Sequence, residues 1–317
     1  MKRLLIVTVC LSLLSSCHKD KHETALPDFN YAGELQLKDS IDLEQYDILN
    51  PQAVYIKDNF LIFPGATGKK ELQFLDLTNK EVITKYITGG GPNEVKVYWT
   101  MVSDSQEELH LYDPNTRKMV GFNLDSLRFD KDMEQRLLIT FPTVTGIYYN
   151  GFENDRFIYR NGASINEESR FSCYDKTTGE MYYYGELPLN EELSALSWIE
   201  KPLAYSNTNY VGNDSHMVCY VHGLLDFYSI GEKGALTLER SHHYYFPKVV
   251  VDSHSGISVA KLSTEPERFQ SIACDEERIY LIYSGKDYKT NGSRAFDCHI
   301  LVSYDWVGNP LNEYYLE

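Results

Sequence analysis

Glu153-Asn154-Asp155-Arg156-Phe157-Ile158-Tyr159, then Phe171-Ser172-Cys173-Tyr174-Asp175, then Thr178-Gly179 leading into Met181-Tyr182-Tyr183-Tyr184, is the stretch that decides the fold. A polar Asn-Asp turn precedes an aromatic and β-branched run. A second such run ends on Asp, a Gly-containing turn follows, and a third run closes the unit. β-branched and aromatic residues fit a pleated, half-buried surface, while Asn, Asp and Gly supply turns, so the stretch reads as consecutive short antiparallel strands.

The same unit recurs on both sides. Lys57-Asp58-Asn59 precedes Phe60 to Phe63, Leu72 to Asp76 and Val82 to Thr88. Asp104 to Glu108 precedes Leu109 to Asp113, which turns at Pro114-Asn115 into Met119 to Leu124. Gly212-Asn213-Asp214 precedes Met217 to Val221, Leu225 to Ile230 and Leu236 to Phe246. Asp275-Glu276-Glu277 precedes Arg278 to Tyr283, His299 to Asp305 and Glu313 to Leu316. Turns near residues 58, 104, 154, 213 and 275 lie 46, 50, 59 and 62 residues apart. Three to four strands in each such interval predict an all-β chain of four-stranded antiparallel blades, a β-propeller, with five blades countable. A pair of β-sandwiches is the structural alternative, but no Pro-, Ser- or Gly-rich linker divides residues 31–317. Leu35-Gln36-Leu37 is placed to lie beside the C-terminal strands and cover an edge that would otherwise invite wrong pairing.

The first 30 residues carry a different message. Lys2-Arg3, an apolar run and Leu14-Ser15-Ser16-Cys17 read as a secretory signal with a cysteine directly after the cut, and resemble the lipobox of bacterial lipoproteins. Leu4 to Leu14 is too short to span a bilayer, which takes about 20 apolar residues. The expected organisation is a signal over residues 1–16, a tether over 17–30 running from lipidated Cys17, and one propeller over 31–317. Thr88-Gly89-Gly90-Gly91-Pro92-Asn93-Glu94 and Tyr304-Asp305-Trp306-Val307-Gly308-Asn309-Pro310-Leu311 add a second likeness. With the lipobox, they resemble the TolB-like β-propeller lipoproteins. That resemblance implies six blades, a sixth falling in residues 31–50 with 248–265 or between the wider-spaced units. It also implies an outer-membrane lipoprotein in the envelope of a Gram-negative bacterium, and it transfers no catalytic residues. The mixed charge of His18-Lys19-Asp20-Lys21 favours neither the periplasmic nor the outer face.

Charge narrows the partners. The formal net charge is −16, and −18 once Lys2 and Arg3 leave with the signal, which disfavours nucleic acid. The membrane is expected as a partner only through the lipid, beside an envelope protein, peptide or glycan. Cys173, Cys219, Cys274 and Cys298 have three possible pairings in an oxidising compartment; their β-forming neighbours favour small buried hydrophobes.

No motif assembles into a catalytic site, and no cofactor or metal is expected. Gly89-Gly90-Gly91 precedes a strand-like run rather than a helix, so a blade-to-blade turn fits better than a phosphate cradle. Asp252-Ser253-His254 gathers triad residue types by adjacency, which is not how triads form. His242-His243 reads as strand histidines, and His216 with His222 would share a face only if one strand ran through both. Glu153 with Asp155, Glu191-Glu192 and Asp275-Glu276-Glu277 read as solvated turn residues. Tyr148-Tyr149, Tyr182 to Tyr184, Tyr244 to Phe246, Tyr314-Tyr315, Trp99, Trp198 and Trp306 divide between core and recognition surface. The expected function is therefore a lipid-anchored binding or scaffold module. The alternative is a hydrolase or lyase acting on carbohydrate in the central channel of the propeller.

Overall fold

The computed structural model describes residues 26–36, 38, 40–49, 54–57, 59–64, 71–86, 100–102, 108–113, 116–123, 136–141, 151–161, 169–197, 200–205, 208–221, 223–246, 248–251, 258–261 and 269–316. Cys17, the Gly89 to Glu94 loop, Trp99, Tyr148-Tyr149, Trp198, His222 and Asp252 to Gly256 lie outside them.

Strands follow one another in five antiparallel sheets. Blade one holds β2 (Tyr55–Lys57), β3 (Phe60–Pro64), β4 (Glu71–Asp76) and β5 (Glu81–Tyr86). Blade two holds β6 (Thr100–Val102), β7 (Glu108–Asp113), β8 (Lys118–Asn123) and β9 (Arg136–Thr140). Blade three holds β10 (Gly151–Glu153), β11 (Phe157–Asn161), β12 (Ser169–Asp175) and β13 (Met181–Glu186). Blade four holds β14 (Asn209–Gly212), β15 (His216–Val221), β16 (Leu224–Ile230) and β17 (Leu236–His243). Blade five holds β20 (Phe269–Cys274), β21 (Ile279–Tyr283), β22 (Ile300–Tyr304) and β23 (Pro310–Leu316). The first strands of blades two to five are innermost: β10 lies against β6 and β14, and β14 against β20.

That last contact leaves no blade between four and five. The hairpin β18 (Lys248–Val251) and β19 (Ser258–Lys261) falls between blades four and five in sequence, yet β14 reaches β20 directly. The hairpin rests instead against the 3-10 turn Lys201–Tyr205. β1 (Asn30–Leu35) joins the outside of blade five, parallel to β23. The segments proposed for a sixth blade are thus used elsewhere, and the described residues form five blades, the number counted from turn spacing.

Period-two alternation explains the packing. Within blade three Tyr159, Cys173 and Tyr182 are in register, with Phe171 opposite Tyr184; all pack with Met217, Cys219 and Tyr228 of blade four. The intervening Ile158 and Tyr174 face the other way, onto Tyr112, Met119 and Phe141 of blade two. Blades four and five share Val218, Leu225, Phe227, Ile279, Leu281, Val302 and Tyr304, and blades one and two share Phe60, Ile62, Phe74, Leu109, Val120 and Phe122. The remaining face of blade one is covered by residues 41–48, with Ile48, Phe63 and Leu75 buried together. Leu26 and Phe29, read from sequence as tether, pack against the blade four–five core, the Phe29 ring 5.2 Å from Tyr304.

Turn chemistry repeats as well. Asn154, Asn213 and Asp275 each accept two backbone N–H groups with the side-chain oxygen: Arg156 and Phe157, Ser215 and His216, Glu277 and Arg278. A local side-chain acceptor replaces a missing backbone partner and fixes the reversal from first to second strand.

Gly212 ends β14 where the blades approach most closely. A Cβ there would sit 2.5 Å from the Phe152 ring and 2.6 Å from the His216 carbonyl. Gly212→Ala is expected to destabilise by about 1–3 kcal/mol, as overpacking does. Urea denaturation checks it, and an unchanged midpoint would show that the two blades can part to admit a methyl group.

Candidate functional site

Antiparallel order sends every connection from an outermost strand to the next inner strand to one end of the propeller. The short turns gather at the other end. The connections after blades three and four are the longest and fold into structure of their own. Asn190 caps α1 (Glu191–Ser194) by accepting the Leu193 N–H at 2.9 Å. The 3-10 turn Lys201–Tyr205 follows, and the β18–β19 hairpin lies on it. Leu187, Leu193, Ala204 and Tyr205 bury against Val221 and Leu224 of blade four, with Leu189, Leu196 and Phe246 around them. This cap is a second small hydrophobic core seated on the blade.

Beneath it lies a buried polar cluster. Arg170 opens β12 at the long-connection end and is fully enclosed. Its guanidinium donates to Asp226 at 2.5 Å, to the Tyr228 hydroxyl at 2.9 Å and to the Cys219 sulfur at 3.4 Å. The same group lies 5.6 Å from the Tyr205 ring centroid. Burial alone would lower the Arg170 pKa, yet the polar groups around it raise it, and the ion pair with Asp226 holds the side chain as a cation. Burial raises the Tyr228 hydroxyl well above its ordinary range and pushes the Cys219 thiol up to about 12, so neither supplies an anion at neutral pH. The cluster ties blade three to blade four and supports the cap through Tyr205. Arg160 occupies the same end of β11, its guanidinium 3.4 Å from the centroid of Tyr112 in blade two.

The short-turn end holds the second polar cluster. Glu153, the last residue of β10, takes His110 Nδ1 at 2.7 Å and Lys176 Nζ at 2.9 Å, and Lys176 also donates to the Asn154 carbonyl at 2.6 Å. The Glu153 side chain has no exposed surface. Nearby, Arg156 donates twice to Asp175, whose side chain is also enclosed. That pair, with help from the Thr177 and Thr178 amides, holds the Asp175 carboxyl below its ordinary 3.8. A depressed folded-state pKa contributes stability that is complete above 3.8 and lost as pH falls through the lower value. Arg156→Ala is therefore expected to move the acid-unfolding midpoint to higher pH. Near-UV circular dichroism during an acid titration reads it, and coincident curves would mean the pair carries no linkage.

The residues singled out in the sequence fall in several places. Asp275 is a turn acceptor, and Glu191 and Glu192 are exposed in the first turn of α1 rather than in a hairpin. Glu153 corrects the solvated-turn reading: it sits inside the blade because Lys176, just past β12, meets its charge and His110 of β7 lies within hydrogen-bond distance of it. His242 is a core histidine against Phe227 and Tyr304, with Nε2 3.0 Å from the Gly308 carbonyl. β15 runs from His216 to Val221, and His216 stacks on Trp306. Tyr182 and Tyr184 lie on the blade three–four core, whereas Tyr315 is exposed. Cys173, Cys219, Cys274 and Cys298 are unpaired thiols, the first two buried. Among the described residues no group of three or more His, Cys, Asp or Glu is disposed to hold a metal. Sequence reading missed Arg170, and the signal available was a lone basic residue among the strand positions of blade three's Ser169–Asp175.

No family model matches the chain, and no curated protein matches it. Solved structures do. One is described as an exported protein of Bacteroides fragilis, 14% identical, covering 94% of this chain and 78% of that one at a TM-score of 0.49. Another is the extracellular domain of a protein described as a one-component system from Bacteroides thetaiotaomicron, 11% identical, covering 80% of this chain and 27% of that one at 0.41. A third is apo AztD from Citrobacter koseri, 10% identical, covering 84% and 71% at 0.44. At these levels the propeller assignment stands on the sheets of the chain itself.

Proposed function

We propose that the chain is a lipid-anchored envelope β-propeller of the TolB-like kind, held by Cys17, that works as a binding module. It receives a protein, peptide or glycan at the end where the long connections gather. The observation that carries this reading is the cap: α1 and the Lys201–Tyr205 turn are built over blade four on their own hydrophobic cluster, and the β18–β19 hairpin lies against that turn. Loops held by a rigid scaffold are the usual place for recognition. The lipobox supports the anchor and the −16 formal charge supports a partner other than nucleic acid.

Purified residues 26–317 should bind saturably to members of an array of envelope oligosaccharides and peptides. A variant with residues 248–261 replaced by a short Gly-Ser turn should lose that binding while keeping its melting temperature. No binding by the parent domain, or equal binding by the variant, sinks the reading. Cys17→Ala should separately abolish palmitate labelling in cells.

The hydrolase or lyase alternative has one observation in its favour, the carboxylate of Glu153 on an inner strand. Its engagement by His110 and Lys176 weighs against it, because a glycosidase needs two carboxyl groups roughly 5–10 Å apart across the sugar.

A further inference from the structure

Among the described residues β1 is the outermost strand of blade five. β1 pairs only with β23 among the described residues, and five of its six residues are exposed. An edge strand presents a row of unpaired backbone donors and acceptors, and natural edges are commonly blunted with lysine or proline. Asn30-Tyr31-Ala32-Gly33-Glu34-Leu35 contains neither. Its one irregularity is a register shift between Tyr31 and Gly33, where Gly33 takes a φ of +122°.

The side chains flanking this edge are of two kinds. Tyr31 is opposite Glu313 and Glu34 opposite Tyr315, so all four share one face. The two rings stand 5.8 Å apart, with Tyr31 63% and Tyr315 44% exposed. Glu313 lies close enough to Tyr315 to raise its pKa, both through its charge and as a hydrogen-bond acceptor. β1 and β23 carry no lysine or arginine.

We infer that this edge is a docking strand for an extended, basic segment of another polypeptide, which adds to β1 as the next strand of blade five. The backbone of β1 supplies the ladder. Glu34 and Glu313 take alternate Lys or Arg side chains in charge-assisted hydrogen bonds, and the Tyr31–Tyr315 rings receive a cation on their faces. The acidic character of the whole chain steers such a segment inward. The surface lies on the side of blade five, so it stands or falls separately from the cap.

The test uses the domain 26–317 and three labelled ten-residue probes: alternating Thr and Arg, alternating Thr and Glu, and the basic probe with Pro at each Thr position. The basic probe should bind saturably and slow amide exchange at residues 30–35. The acidic probe should not bind, and the proline probe, which cannot complete the ladder, should bind at least tenfold more weakly. Glu34→Lys with Glu313→Lys should cost at least tenfold in affinity. Tyr31→Ala, an exposed position whose loss leaves the core untouched, should cost several-fold and decides the matter if the charge reversal disturbs blade five. Equal binding of the proline probe, or indifference to these substitutions, would reduce the effect to diffuse attraction and overturn the proposal. Tyr31-dependent sedimentation of the unlipidated domain with phosphatidylcholine vesicles would overturn it in favour of a bilayer.

Discussion

Replacing Arg170 with Leu is expected to remove about 3–5 kcal/mol of stability, a large part of what a domain usually has. The cost does not come from a lost attraction alone. Asp226 is buried, and without its guanidinium partner it stays in a low-dielectric interior with an unmatched charge. Tyr228 and Cys219 lose a donor at the same moment. The pair itself is a weaker source of stability than its removal suggests, since two desolvation penalties offset much of the attraction. Arg170→Met combined with Asp226→Leu should therefore recover most of the loss. Urea denaturation of the parent, both single variants and the double variant measures this directly. Single losses below about 1 kcal/mol would mean that water reaches the cluster.

Phe227→Ala is expected to cost about 3–5 kcal/mol, for a different reason. Phe227 has no exposed surface and lies in the core shared by blades four and five, its centroid 5.5 Å from Tyr304 and 6.0 Å from His242. Gly308 sits over it so closely that a Cβ there would approach the ring to 2.8 Å. Truncation leaves a cavity that neighbouring strands, fixed by their ladders, cannot fill. Thermal unfolding of Phe227→Ala and Phe227→Leu separates cavity size from transfer: the leucine variant should retain most of the lost stability. Equal losses would place the cost in the aromatic contacts.

Both residues show what the sequence discloses. Strands such as Phe60–Pro64, Met181–Glu186 and Leu224–Ile230 were legible within a residue or two, because alternation and Asn or Asp turns are local properties. Phe227 was legible as part of the strand Leu225 to Ile230 and no further. What stayed hidden are partnerships between distant positions. Nothing near Arg170 announces Asp226, 56 residues on, and nothing near Glu153 announces His110, 43 residues back. The sixth blade failed for the same reason. Residues 248–251 and 258–261 do form strands, but which sheet they join depends on where β14 meets β20, and no local pattern encodes that. Of the candidate site, only the wider turn spacings of 59 and 62 residues were visible; the cap on blade four was not.

The pairing of β1 with β23 also sets a timetable. The two strands are separated by about 280 residues of chain, although each of the five blades is built from neighbours in sequence. Blades can thus zip up one after another as they leave the ribosome, while Asn30–Leu35 waits for the last strand to be made. Closing so long a loop costs only about 5 kcal/mol, some 1.5 kcal/mol more than closing one of 50 residues, so the delay is one of time more than of energy. The strand that docks last is also the outermost of blade five among the described residues. Nascent chains stalled before residue 310 would carry four finished blades and a loose beginning.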